Sequence, residues 1–106
     1  MKAERLDAEF RPRRVTYVGG LVLLHAHDAI ALVRRAADEG VPILGVNCLI
    51  VSPGSAEEPI DQIADFSAAV GAGHGCWEDA EAHIAARALG PYVFEVTLGD
   101  DPVEAA

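Results

Sequence analysis

The spacing of apolar positions changes repeatedly along the chain, and each change marks an expected element. Residues 1–14 alternate charges around Pro12, with Leu6 and Phe10 the only large apolar groups before Val15, which predicts a flexible N-terminal arm. Val15-Thr16-Tyr17-Val18 has the β-branched and aromatic content of a short strand, broken by Gly19-Gly20. Then the period lengthens: Val22, Ala26, Ala29, Ile30, Val33 and Ala37 recur at helical spacing, while Asp28, Arg34, Arg35 and Asp38 lie mostly off that stripe. This predicts an amphipathic helix over 21–39, ended by Gly40 and barred from continuing by Pro42. The run Ile43 to Val51 is nearly all apolar and β-branched, the pattern of a central strand with both faces covered, over 42–51.

Beyond Ser52-Pro53-Gly54 the pattern is less decisive. Ser55-Ala56-Glu57-Glu58 fits a helix capping box with Ile60, Ile63, Ala64 and Val70 following at helical spacing, but Pro59 and the Asp61, Asp65 pair fit an extended loop equally. Gly71 to Gly75 reads as a connector. Trp77-Glu78-Asp79 opens a helix over 77–89 with acids at its positive end, and Gly90-Pro91 closes it. Tyr92, Phe94, Val96 and Leu98 then alternate with Val93, Glu95 and Thr97, a strand over 91–98 with one drier face. These elements add up to an α+β fold: a small single-layer mixed or antiparallel β-sheet with two or three helices packed on it, formed by a single α/β domain over 15–106. Ile30, Val33, Leu44, Val46, Ile84, Phe94 and Val96 are its expected core.

Charge sharpens this picture more than size does. The 106 residues carry 17 acids against 8 Lys and Arg, net −9. Residues 1–53 hold seven basic and six acidic side chains, whereas residues 54–106 hold Arg87 against eleven acids, so the halves stand at +1 and −10. Such a half repels phosphate, which argues against direct nucleic-acid binding, and it attracts a basic protein at an enhanced, salt-sensitive rate. No apolar run approaches the roughly 18 residues of a membrane helix, and two cysteines with no apolar leader are expected of a reduced, cytoplasmic protein.

Candidate chemistry is thin. His74, Cys76 and His83 are zinc-type ligands, but His74-x-Cys76 matches no common metal pair and His83 lies two helical turns away. His25 and His27, two apart on a helix, point about 200° away from each other. Cys76 at a helix start invites a reactive thiolate, which Glu78 and Asp79 oppose; Cys48 inside the apolar strand reads as a small buried hydrophobe. We therefore expect no enzyme, no metal and no cofactor. The alternatives are a small interaction module or homodimer and, further off, a metal- or cysteine-dependent enzyme.

One resemblance sets a direction. The stretch Ala29-Ile30-Ala31-Leu32-Val33-Arg34-Arg35-Ala36-Ala37-Asp38-Glu39-Gly40-Val41-Pro42-Ile43-Leu44-Gly45-Val46, a helix passing through Gly into an I-L-G-aliphatic strand, resembles the immunity proteins of colicin-type tRNA-nuclease toxins. Gly90 to Leu98 is similar to their closing strand; that family carries an acid where Asn47 stands and a Gly where Cys48 stands. The resemblance implies a bacteriocin immunity protein, a toxin inhibitor acting by nucleic-acid mimicry: a protein–protein interaction in which an acidic surface occludes the cleft of a basic nuclease, an RNase. The partner-binding candidates are then Asn47, Asp61, Asp65, Trp77, Glu78 and Asp79.

Overall fold

The computed structural model describes residues 2–15, 22–52, 55–57 and 63–99. In chain order these form α1 (Lys2–Phe10), a 3₁₀ turn (Arg11–Arg13), α2 (Ala26–Glu39), β1 (Ile43–Ser52), β2 (Ser55–Glu57), β3 (Ala64–Asp65), α3 (Ser67–Gly71), α4 (Trp77–Ala85) and β4 (Val93–Leu98). Every strand pairs antiparallel with β1. The fold is α+β, as expected, and the mixed alternative for the sheet is resolved as antiparallel among the described strands.

β1 organises the sheet. It pairs with β4 from Ile43 to Leu49 and with β3 at Gly45 and Val46, so Gly45 stands directly between Thr97 and Asp65. A register shift between Ile43 and Gly45 inserts Leu44 as a bulge residue. The shift brings Ile43 onto the same face as Val46 and Cys48, where all three are buried with Phe94, Val96 and Leu98 beneath the helices. The opposite face carries Gly45, Asn47, Leu49 and Val51. There Leu49 is covered by Leu23 and Val93, with Val15 and Val51 packed alongside, while Gly45 and Asn47 keep part of their surface. The strand is thus covered fully on one face and only toward its C-terminal end on the other. Of the expected core, Val33, Val46, Ile84, Phe94 and Val96 are buried; Leu44 is displaced by the bulge and Ile30 sits at the core's edge.

Several sequence expectations are corrected. The N-terminal stretch is no loose arm: Ala3, Leu6 and Phe10 fall at three- and four-residue spacing on one helical stripe, and all three are buried in the main core. The alternating charges around them pair with α2, where Arg35 meets Glu9 at 3.1 Å and Arg5 meets Glu39 at 3.3 Å. The helix expected from 21 begins at Ala26, because Leu24 exchanges backbone hydrogen bonds with Phe94 at 2.8 and 2.9 Å and so extends the sheet. Its end is as expected. Gly40 takes a left-handed φ of 73°, its N–H donates to the Ala37 carbonyl, and Val41 N–H donates to Ala36, a Schellman closure that favours glycine. Residues 55–57 turn back as a strand against β1 rather than opening a helix, and only Ser67–Gly71 is helical in that region. Of the expected first strand, residues 16–18 lie outside the described residues.

Two truncations separate a core helix from an arm. Leu6→Ala should lower unfolding free energy by about 2–5 kcal/mol and Phe94→Ala by about 3–5 kcal/mol, read from urea denaturation. A loss at Leu6 of a few tenths of a kcal/mol would put α1 outside the cooperative fold.

Candidate functional site

The uncovered part of the sheet is built by strand alternation. Paired residues project to the same side, so Asp65, Gly45 and Thr97 form one row across three strands, and Asn47 with its partner Glu95 forms the next. Asn47 Nδ2 donates to Glu95 Oε1 at 2.9 Å. Asp65 Oδ1 accepts from the Ser67 hydroxyl at 2.7 Å and from the Ser67 backbone N–H at 2.9 Å, fixing the entry to α3. Those two donations, the hydroxyl first, hold the Asp65 carboxyl below its ordinary range. Gly45 contributes no side chain to its row, and a Cβ there would lie 2.8 Å from the Ala64 carbonyl oxygen. The result is a cleft of about 290 Å³ bordered by Leu44, Gly45, Asn47, Ile63, Asp65 and Thr97.

The entry to α4 forms a second concave region of about 420 Å³, bordered by His74, Gly75, Cys76, Trp77, Glu78 and Asp79. Trp77 is an anchor of this turn. Its indole N–H donates to the Val41 carbonyl at 2.7 Å, its ring packs on the core, and a Cβ on Gly75 would meet that ring at 2.3 Å. Cys76 precedes the helix with a left-handed φ of 64°, uncommon for any residue but glycine. Burial, reinforced by Asp79, pushes its thiol up, the reverse of an activated nucleophile. Glu78 and Asp79 are exposed in the first turn of α4, where the helix dipole favours them.

Five of the cations are paired. Lys2, Arg5, Arg13, Arg34 and Arg35 all face carboxylates, namely Glu39, Asp28, Glu81 and Glu9, within 4 Å. Among the described residues, Asp65, Glu78, Asp79 and Glu95 have no Lys or Arg in that range. Near the far edge of β4, burial raises the Asp7 carboxyl; Arg11 opposes the shift and Glu95 adds to it.

The six residues picked from sequence therefore divide. Asn47 and Asp65 meet on the open sheet face, with Glu95 and Thr97 added by strand register and Ser67 by its hydrogen bonds to Asp65. Trp77, Glu78 and Asp79 gather at the α4 entry, where Trp77 serves packing first. Asp61 lies outside the described residues. Glu95 and Thr97 were missed because their signal lies in the pairing of β1 with β4; Ser67 carries a local signal, the Asp-x-Ser spacing of a side-chain turn. Among the described residues no three metal-ligating side chains converge; His83 approaches Cys48, Nε2 to Sγ at 3.5 Å, instead of Cys76. Cys48 and Cys76 are not joined in a disulfide, and none of the described helices is long and apolar enough to cross a membrane.

Two measurements check this geometry. Trp77→Phe keeps a ring but leaves the Val41 carbonyl without its donor, and should cost about 1–3 kcal/mol in urea denaturation; an unchanged midpoint would assign the indole to the surface. Asp65 should titrate below an ordinary carboxylate by NMR, and Ser67→Ala should raise its midpoint. Because the shift is downward, the contribution of Asp65 to stability is present above its unfolded-state pKa and fades as pH falls through the folded-state value. The wild type should accordingly lose stability more steeply at the acid end than Ser67→Ala. In comparisons with known proteins, no family model matches the chain and no curated protein matches it.

Proposed function

We propose that this protein is an immunity-like inhibitor that binds a basic nuclease toxin, an RNase in the reading drawn from the resemblance, and blocks its nucleic-acid cleft with the acidic open face of the sheet. The observation that carries the proposal is the pair Asp65 and Glu95. Two carboxylates stand on the open part of the sheet, fixed by strand register, with no Lys or Arg among the described residues within 4 Å, although Arg11 borders the concavity next to Glu95. A partner with a cleft shaped for phosphates carries the complementary charge, and steering between such patches raises association rates. The protein acts in the cytoplasm, as a binder and not as an enzyme; the upward shift of Cys76 and the burial of Cys48 support that reading. Glu78 and Asp79 extend the negative field beyond the sheet.

The test is inhibition of RNA cleavage by a basic nuclease domain encoded beside this chain, with association followed by stopped flow at several salt concentrations. Asp65→Lys with Glu95→Lys should cut the on-rate at least about tenfold at low salt and flatten its salt dependence, since the attraction is screened beyond about 8 Å at physiological ionic strength. Glu78→Lys with Asp79→Lys should have a smaller effect. Melting temperature, followed in parallel, separates the loss of steering from the local cost of removing the acceptor of Ser67. Unaltered inhibition and salt dependence in both double variants would reduce the acidic surface to a solvated face and sink the proposal.

A further inference from the structure

The cleft over Gly45 has a chemistry narrower than a negative patch. Asp65 and Thr97 are the side chains on either side of Gly45 in one sheet row, and adjacent strands lie about 4.8 Å apart, so their Cα atoms stand about 10 Å apart across a position with no side chain. Only glycine fits here, because a Cβ would collide with the Ala64 carbonyl, and this close approach of β3 brings Asp65 up to the cleft. Its polar lining consists of Asn47, Asp65, Ser67 and Thr97, and no lining residue is cationic. Asp65 Oδ1 is taken twice by Ser67, and its other oxygen is the charged acceptor left over. Asn47 turns its Nδ2 to Glu95, since the opposite amide orientation would set Oδ1 against a carboxylate; this leaves Oδ1 as an acceptor, beside the second Nδ2–H. Leu44 and Ile63 supply apolar walls, and Ile63 at 40% exposure is one of two large hydrophobic side chains left exposed among the described residues.

We infer that this notch receives one arginine side chain of the partner. Acceptors on both sides of an uncharged floor suit a planar guanidinium, whose several N–H groups reach acceptors in different directions, better than the compact ammonium of lysine. Its methylene stem lies against Leu44 and Ile63 as the charged end enters. The inference rests on the proposed inhibition of a basic protein for the identity of the partner. The notch itself can be examined without that partner.

The experiment titrates the full chain with N-acetyl-arginine amide and, separately, with N-acetyl-lysine amide, following the backbone amides of Gly45, Asp65 and Thr97 and the Asn47 side-chain amide by NMR. Saturable shifts at these groups in the millimolar range, at least about threefold tighter for arginine, are expected. Asp65→Asn should weaken binding about tenfold while retaining the oxygen that Ser67 needs, so the α3 entry survives; Thr97→Val should weaken it by a smaller factor. No saturable shift, an equal response to lysine, or full binding by Asp65→Asn overturns the inference, whether or not a nuclease is neutralised. Failure of nuclease inhibition with the arginine shifts intact overturns the proposed function and leaves the notch as an arginine site.

Discussion

The double pairing of β1 at Gly45 and Val46 is the constraint on which the rest depends. With β3 on one side and β4 on the other, the backbone groups of the strand's first half are taken up within the sheet, so the strand can sit in the interior at no cost in orphaned donors. The bulge at Leu44 then decides which residues face the helices. Without it Ile43 would fall on the face opposite Val46 and Cys48, and the core beneath α2 and α4 would lose a fully buried side chain. Gly45 falls on the open face by simple alternation with Val46, in the continuous register that follows the bulge. The bulge thereby settles the packing of Ile43, and the double pairing settles the position of the cleft.

How far this was legible in the sequence depends on which periodicity a segment follows. Phe94, Val96 and Leu98 alternate strictly, and their strand and its dry face follow from the alternation. The α2 stripe and its Gly40 stop are equally plain. Leu24 shows the limit: it lies in the span that Val22 joins to the helical stripe, yet its backbone pairing with Phe94 outweighs the propensity that a few residues could supply. Residues 55–57 show a second limit, since a capping-box pattern and a hairpin return share Ser and Glu, and the choice depends on the free edge that β1 offers. In α1 the apolar stripe was present but sparse, and ion pairs to α2 and burial of Leu6 and Phe10 gave it a place that its own charge pattern did not announce.

The open face also departs from what a strand needs for its own stability. Gly45, Asn47, Asp65 and Glu95 are residue types depleted in strands, and all four project to the side that the helices leave bare. Each has a local reason to be there: Gly45 admits the Ala64 carbonyl, which a Cβ would meet at 2.8 Å, the Asp65 carboxylate is the acceptor that fixes the entry to α3, and Asn47 and Glu95 satisfy each other across the strand pair. Glu78 and Asp79 are favoured likewise, because a helix start gives acids a stabilising role. Holding these groups on paired strands also leaves little to order on association. Asn47 and Asp65 already occupy fixed hydrogen-bonded positions, so in the proposed complex more of the electrostatic attraction would be retained as affinity.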